Sequence, residues 1–214
     1  MKKSILAIAF IALAAVSCKN DKNKVEAKEE VKEVQKVENV INSYKANVAE
    51  SNITWKGSKP TGSHNGVVSL QNGVFDIENG TVKAGEFTID MTTISCSDLE
   101  AGNGKEKLEG HLKSADFFDV EKFPTAKFVV TSSEAKDGKV NITGNLTLKD
   151  VTKSITIPAT IIEDGEFATL KSDTFSVDRT DFGVTYSSKK FDAALKDKFI
   201  NDLMEMSLDI KAKK

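Results

Sequence analysis

Apolar and polar residues alternate along most of the chain after about residue 44. In the run 139–150, "KVNITGNLTLKD", apolar side chains are separated by asparagines and threonines. The same period of two recurs around residues 87–91, 126–130, 155–161, 175–177 and 204–210. Successive side chains of a β-strand point to opposite faces of the sheet. Each run therefore predicts a strand with one buried and one solvated face.

Short turn sequences separate these runs. "ENG" at 78–80, "KDG" at 136–138 and "EDG" at 163–165 contain the Asn-Gly or Asp-Gly pair that is typical of tight hairpins. About eight one-sided strands in roughly 170 residues, without intervening helices, predict an all-β domain. The pattern alone leaves two architectures open, a β-sandwich and a closed up-and-down β-barrel.

One interval between predicted strands, of about 30 residues between positions 91 and 125, is too long for a hairpin loop. Within it, Leu108 and Leu112 have helical spacing and predict a short helix over 105–113. Ser114 is placed to cap a second turn through residues 115–118, and Pro124 favours extended backbone before the next strand. We therefore expect a short helical insertion in the β domain.

The first residues have the pattern of an export signal. A basic start is followed by an apolar run over 5–15, which is too short to span a bilayer and predicts a signal peptide over residues 1–17. "AVSC" at 15–18 resembles the lipobox of bacterial lipoproteins, in which Cys18 would carry the lipid anchor. Ordinary cleavage that leaves a free thiol is the alternative. We expect a cell-envelope protein anchored through Cys18 to a bacterial membrane, the outer membrane facing the periplasm or the surface.

Residues 18–43 are dominated by Lys, Glu and Val. Their valines at 31, 34 and 37 recur with a helical period and form a narrow apolar stripe. This pattern predicts a charged, partly helical tether that holds the β domain away from a membrane. A short coiled coil that joins two copies into a dimer is the alternative.

The charged and reactive residues exclude several classes of function. There are 30 Lys and Arg against 32 Asp and Glu, and without the leader the formal net charge is about -4, which argues against a nucleic-acid partner. With Cys18 lipidated, Cys96 has no partner for a disulfide within the chain. His64 and His111 are far apart and lack a ligand pattern, so no metal site is predicted. No nucleophile–base pair or acid dyad is visible, so no catalytic residue and no enzymatic activity are predicted.

Several segments together resemble one known family. They are "GSHNGVVSLQNG" at 62–73, "GEFTIDMTTISCSDL" at 85–99, "GHLKSADFFDVEKFPTAKF" at 110–128, "GNLTLKDVTKSITIPA" at 144–159 and "DRTDFGVTY" at 178–186. From about Tyr44 to Ala212 the chain resembles the YceI-like lipid/polyisoprenoid-binding periplasmic domains. The resemblance implies a lipocalin-like antiparallel barrel over residues 44–214. It also implies an interior tunnel for an isoprenoid or similar long-chain amphiphile, without catalytic residues or a cofactor.

The alternating runs supply an uncharged set of inward side chains for such a tunnel. The predicted set is Phe87, Ile89, Met91, Phe128, Val130, Ile142, Leu146, Ile155, Ile157, Phe175, Met204, Met206 and Leu208. An apolar tube can hold a polyisoprenoid, quinone or fatty-acyl chain by burying it from water. The same residues could instead fill a solid core, and the protein would then be a structural or interaction lipoprotein of the cell envelope.

The insertion and one arginine are predicted to lie at the tunnel mouth. We expect the rings of Phe117, Phe118 and Phe123 to fold over the barrel end as a lid. Asp116, Asp119, Glu121 and Lys122 are expected to face water. His111 is expected beside them. Arg179 continues an apolar face and needs a partner, for which Asp181 or Asp98 would serve. At the mouth, Arg179 could instead meet a phosphate or carboxylate headgroup.

Overall fold

The computed structural model describes residues 25–29 and 42–214. Within them the chain forms eleven β-strands, one α-helix and two short 3-10 helices. The helix is α1 Lys105–Lys113, and the 3-10 helices cover Arg179–Phe182 and Ala193–Leu195. The strands are β1 Lys28–Glu29, β2 Asn42–Ala46, β3 Asn52–Lys59, β4 Gly62–Glu78, β5 Thr81–Cys96, β6 Thr125–Lys136, β7 Lys139–Leu148, β8 Val151–Asp164, β9 Phe167–Ser172, β10 Phe175–Asp178 and β11 Leu203–Lys213.

Eight of the strands in the described part of the chain close into a ring. The order around the ring is β3, β4, β5, β6, β7, β8, β9 and β11, and β11 pairs again with β3. Every neighbouring pair is antiparallel. A sandwich would consist of two separate sheets, whereas this sheet is continuous. The predicted antiparallel barrel of about eight strands is confirmed.

Two positions in the ring are each occupied by two short strands in succession. β2 and β3 both pair with β4, so that Tyr44 lies opposite Phe75 and Ile53 lies opposite Val68. β9 and β10 follow each other in the same way along β11. The long strands β4 and β11 therefore set the length of the wall, and the short strands complete it.

The connections give the barrel two different ends. The β4–β5, β6–β7 and β8–β9 turns lie at one end, which we call the floor. The β3–β4 turn, the insertion that contains α1, the β7–β8 turn and the connection from β10 to β11 lie at the other end, which we call the mouth. We call residues 183–202, which connect the first 3-10 helix to β11, the mouth loop. Short turns thus close the floor, and longer segments surround the mouth.

The predicted hairpin turns are present at the floor. Asn79 and Gly80 have φ angles of 52° and 74°, and residues 137 and 138 have φ angles of 53° and 76°. Positive φ at both central residues is the requirement of the two-residue turn that matches the twist of paired strands. The β7–β8 turn has the same property at Lys149 and Asp150, with φ angles of 50° and 59°, although it contains no glycine. Its sequence gave no prediction of a hairpin.

The helical insertion also agrees with the sequence, apart from the role of one serine. The helix α1 occupies residues 105–113, as predicted, and Leu112 is its buried residue. Ser114 does not cap the following turn with its side chain. Its backbone N–H and its hydroxyl both donate to the carbonyl of His111, so Ser114 ends α1. Residues 115–118 then form turns.

Residues 25–29, which we call the seam segment, lie against the barrel wall. β8 pairs with β9 only through residues 159–164, so the two strands separate toward the mouth. The Val25 N–H donates to the carbonyl of Ser176 in β10, over 2.7 Å, and Lys28 pairs with Ser154 of β8. Val25 is buried against the core. The seam segment therefore connects two strands that do not pair directly.

Several predictions for the N-terminal region lie outside the described residues. These are the leader, Cys18, and the valines of the predicted tether helix. The described residues of the predicted tether are not helical: the seam segment contains the short strand β1, and residues 42–43 begin β2. Among residues 25–29 and 42–214, no helix combines the length and the apolar character needed to cross a bilayer.

Candidate functional site

A cavity of about 370 Å³ lies inside the mouth half of the barrel. Twelve of the thirteen side chains predicted to face the interior line it, and they come from six different strands. These residues are Phe87, Ile89, Met91, Phe128, Ile142, Leu146, Ile155, Ile157, Phe175, Met204, Met206 and Leu208. The wall that they form is entirely apolar, as a site for a hydrocarbon chain requires.

Val130 is the member of the predicted set that does not line the cavity. It does point inward, and its side chain is 1% exposed. It packs beside Gly85 in the floor half, where a Cβ on that glycine would lie 3.1 Å from both Val130 and Phe75. Alternation along β6 indicates which face Val130 occupies, but not its depth in the barrel.

Several inward side chains of the barrel are only partly buried. Ile89, Leu146, Met204, Met206 and Leu208 pack against the core cluster but retain accessible surface, and all of them line the cavity. In a barrel filled by its own side chains, these positions would be as fully buried as those of the floor. The interior of the mouth half is therefore hollow.

The floor half is closed by aromatic packing. The rings of Tyr44 and Phe75 stack with their centroids 5.7 Å apart, and the Phe87 ring follows at 5.8 Å from Phe75. The Tyr44 hydroxyl donates a 2.7 Å hydrogen bond to Glu163. Burial, together with this carboxylate, raises the pKa of Tyr44 to about 12. The cavity therefore ends at Phe87, with the Tyr44–Phe75 pair behind it.

The mouth of the cavity is open to solvent. Lys59, Gly62 and Ser63 at the β3–β4 turn and Asn201 in the mouth loop are exposed, and all four also line the cavity. We call these four residues the rim. A long apolar chain in the cavity would therefore end at polar groups and water.

Two of the three predicted lid phenylalanines cover the cavity. Phe117 and Phe118 are 5% and 6% exposed, line the cavity, and contact each other edge to face at 5.3 Å. His111 also lines the cavity, and its ring meets the ring of Tyr186 at 4.6 Å. These rings lie on the insertion and on the mouth loop, so they connect the two segments beside the opening.

Phe123 is not part of this lid. It does not line the cavity, it is half-buried, and the ammonium group of Lys122 lies 4.8 Å from its ring centroid. The chain turns at Asp119, whose φ angle is 49°, and this turn directs Phe123 away from the opening. Asp116, Glu121 and Lys122 are exposed, as expected, whereas Asp119 is half-buried.

Arg179 is completely buried and binds main-chain carbonyl groups of the mouth loop. Its guanidinium group donates to the carbonyl of Val184 over 2.7 Å, to that of Ile200 over 3.0 Å and to that of Asn201 over 3.2 Å. Its guanidinium carbon lies 5.3 Å from the centroid of the Phe117 ring. Burial lowers the pKa of Arg179, and nearby carboxylates oppose this shift. Arg179 thus fixes both ends of the mouth loop and supports the lid.

The carboxylate partner of Arg179 differs from the expectation. Asp202 contacts the guanidinium group at 3.5 Å. The predicted pairing with Asp98 is wrong, because Asp98 accepts hydrogen bonds from His64, Asn65 and Cys96 in another part of the mouth. Asp202 directly precedes β11, and it comes close to Arg179 only when the chain folds.

His64, Cys96 and Asp98 form a cluster that the sequence analysis did not predict. Their ligand-type atoms lie within 4.8 Å of one another, and these are donor types that bind Zn²⁺. The hydrogen bond from the backbone N–H of Asn65 is the main cause that lowers the pKa of Asp98 to about 2. Burial, aided by Asp98, raises the pKa of the Cys96 thiol. The three groups thus satisfy one another as a hydrogen-bonded network.

Further cavity residues were absent from the predicted set. The strands β3, β4 and β9 contribute apolar side chains, and α1 contributes two leucines. The missed residues include Ile53, Trp55, Val68, Leu70, Leu108, Leu112 and Leu170. In β3, Ile53 and Trp55 flank Thr54 with the period of a strand, so the alternation could have identified them.

A family model for the YceI-like domain matches residues 44–212. A stretch of 95 residues is 37% identical to a UPF0312 protein of Pseudomonas putida and covers 44% of this chain and 47% of that protein. The matched stretch therefore spans about half the length of this curated relative.

Solved structures show the same fold. BcnA of Burkholderia cenocepacia superposes with a TM-score of 0.62 at 20% identity, over 78% of this chain and 98% of that chain. A polyisoprenoid-binding domain of Saccharophagus degradans, implicated in plant cell wall breakdown, superposes with a TM-score of 0.58 at 11% identity. The superposition covers 79% of this chain and 97% of that chain. With the match to the family model over residues 44–212, the chain belongs to the YceI-like domain family.

Proposed function

We propose that this protein binds a long-chain apolar lipid, of the polyisoprenoid, quinone or fatty-acyl type, and sequesters or transports it. The hollow interior of the mouth half, whose wall is apolar apart from Arg179 and polar groups near the rim, is the observation that carries this proposal. Each Å² of apolar surface removed from water contributes roughly 25 cal/mol, so the wall can hold a hydrocarbon chain without a polar anchor. Met204 and Met206 adapt to chains of different shape.

The ends of the cavity favour an amphiphile in one orientation. The closed aromatic floor would receive the tail, and the open rim, with Lys59, Ser63 and Asn201, would leave the headgroup in water. The solved domain from Saccharophagus degradans, which is described as binding a polyisoprenoid, supports the same ligand class. A structural lipoprotein with a filled barrel is disfavoured by the partial exposure of Ile89 and Leu146.

The proposal includes anchoring of the barrel to a bacterial membrane through a lipid on Cys18. The sequence "AVSC" and the apolar run before it support this part. The barrel would then act within the cell envelope, next to the bilayer that contains its ligand. Loss of the membrane-bound fraction in a Cys18→Ser variant, after cell fractionation, is the corresponding test.

Solvent extraction followed by mass spectrometry tests lipid binding. A chain of residues 19–214 retains every described residue and the whole segment that the family model matches. We expect one equivalent of a hydrophobic compound to co-purify with the barrel. Repeated preparations without any such compound, and without uptake of an isoprenoid alcohol added from ethanol, would contradict the proposal.

A matched pair of variants locates the binding in the cavity. Ile89 faces the cavity, and its neighbour Thr88 lies on the other face of β5. Ile89→Trp adds volume inside the cavity and is expected to reduce lipid uptake at least tenfold. Thr88→Trp adds the same ring outside and should bind as the wild type does. Equal binding by both variants would show that the lipid lies elsewhere.

A further inference from the structure

The mouth loop exposes an apolar tip. Phe191 is 65% exposed, the largest exposure of a large apolar side chain in the described residues. Ala193 and Ala194 after it are also exposed, and Leu195 is half-buried. An exposed ring next to small apolar residues is the composition of a surface that contacts a partner. We call residues 189–198 the tip.

The base of the mouth loop, in contrast, is firmly held. The Ile200 N–H donates to the carbonyl of Ser187 over 2.9 Å, and the Asn201 N–H donates to the carbonyl of Ser58 over 2.8 Å. Arg179 adds three further hydrogen bonds to main-chain carbonyls of the loop, as described above. Ile200 also lines the cavity. The tip is thus presented at a fixed position beside the opening.

The charge of the tip favours an anionic surface. Residues 189–198 contain four lysines and two aspartates. The Lys190 side chain is half exposed, but its ammonium group is engaged by Asp178 over 2.6 Å. Lys196 and Lys198 are exposed and directly follow the apolar residues. Lysines around an aromatic ring are typical of segments that lie in the headgroup region of anionic membranes.

We propose that the tip docks on an anionic lipid bilayer, with Phe191 inserted among the headgroups and Lys196 and Lys198 above it. This proposal rests on the lipid-binding function proposed above, because it identifies the membrane surface from which the lipid would enter the cavity. Docking at the tip places the rim next to the bilayer. A lipid tail then moves from the membrane into the cavity with a short path through water, which lowers the cost of exposing it.

The floor provides a matched comparison. Phe167 is 59% exposed, nearly as much as Phe191, and the ammonium group of Lys213 lies 5.6 Å from its ring centroid. Phe167 lies at the opposite end of the barrel, away from the rim. Serine at either position removes one exposed ring of the same kind, so only the location differs.

Co-sedimentation with vesicles tests the proposal. Residues 19–214 are mixed with vesicles of phosphatidylcholine, alone or with 30% phosphatidylglycerol, and the bound fraction is measured. We expect binding to the anionic vesicles, a decrease of about fivefold in Phe191→Ser, and a similar decrease in the Lys196→Gln/Lys198→Gln variant. Phe167→Ser should stay within about twofold of the wild type. Thermal unfolding checks that each variant is folded.

Several outcomes would overturn the proposal. These are a wild-type protein that stays in the supernatant, a Phe191→Ser variant that binds like the wild type, or an equal loss in Phe167→Ser. Binding that does not depend on phosphatidylglycerol or on the two lysines would overturn the proposal that the tip recognises an anionic bilayer. If the wild type forms dimers but does not bind vesicles, and Phe191→Ser dissociates these dimers, the tip is instead a contact between two copies of the chain.

The failure of docking and the failure of lipid binding can be distinguished. An isoprenoid alcohol added from ethanol, without vesicles, should bind equally to the wild type and to Phe191→Ser, because Phe191 does not line the cavity. Vesicle binding without uptake of the alcohol would leave docking intact and overturn the lipid-binding function. Uptake of the alcohol without vesicle binding would overturn docking and leave the lipid-binding function intact.

Discussion

The two ends of the barrel achieve stability in different ways. The floor is filled by apolar packing, in which Tyr44, Phe75 and Val82 are at most 1% exposed. The mouth surrounds an opening, and hydrogen bonds that converge on Arg179 help to hold it, beside the buried side chains of Phe182 and Val184. An end that encloses a cavity cannot use its whole interior for packing. The comparison therefore indicates that polar groups supplement packing where the barrel is hollow.

The largest expected effect is the loss of the Arg179 hydrogen bonds. Arg179→Leu removes the donor to the carbonyl groups of Val184, Ile200 and Asn201 and the nearest cation of Asp202, and we expect the free energy of unfolding to decrease by about 3–5 kcal/mol. Arg179→Lys keeps the charge but not the planar fork, so an intermediate decrease is expected. Chemical denaturation of residues 19–214 measures both values. A decrease below about 1 kcal/mol for Arg179→Leu would refute this role at the mouth.

Truncation of one ring at each end tests whether the floor and the mouth serve different purposes. Phe75→Ala creates a void in the floor and should cost about 3–4 kcal/mol, with lipid binding retained. Phe118→Ala widens the mouth, so we expect a smaller loss of stability and at least a tenfold loss of retained lipid. Denaturation and extraction of bound lipid measure the two properties. If Phe118→Ala matches the wild type in both, its ring does not act as a lid.

The burial of Tyr44, and then its hydrogen bond to Glu163, make the floor sensitive to alkaline pH. The pKa of Tyr44 is raised from 10.0 to about 12. The folded state keeps this proton to higher pH than the unfolded state does, so stability should fall as the pH rises from 10 to 12. Tyr44→Phe is expected to lose about 1 kcal/mol at neutral pH and to have a flatter stability profile in this window. An unchanged alkaline profile in Tyr44→Phe would contradict the assignment.

The smallest expected effect is at the mouth, at acidic pH. The pKa of Asp98 is lowered from 3.8 to about 2 by the backbone of Asn65 and then by its other partners. A lowered pKa contributes stability that is present above pH 4 and is lost as the pH falls toward 2. Asp98→Asn should therefore flatten the stability profile between pH 4 and 2. Thermal unfolding across this range measures the effect, and Asp116→Asn, at an exposed carboxylate of the insertion, is the control.

Local patterns predicted most of the fold. Alternation predicted the inward faces, the turns at 79–80 and 137–138 followed from their glycines, and the spacing of Leu108 and Leu112 predicted α1. The turn at 149–150 was missed because two residues with side chains occupy positive φ there. Strand pairing overrode the weak local preference at that turn.

The sites were less predictable because they depend on distances between separate elements. Alternation placed Val130 on the correct face, but the position of Phe87 decides where the cavity ends. Asp202 reaches Arg179 only when the mouth loop closes. His64 and Asp98 meet because β4 lies beside β5 in one register. Such contacts are consequences of the closed ring, and no short segment contains them.

The seam segment has a mechanical consequence. Tension on the chain before Val25 would load its hydrogen bond to Ser176 first, and then the pairing of Lys28 with Ser154. Both contacts lie on strands whose inward side chains form the cavity wall. A pull from the N-terminal side would therefore strain the side of the barrel rather than its mouth or its floor. The seam segment and the wall of the cavity are mechanically one structure.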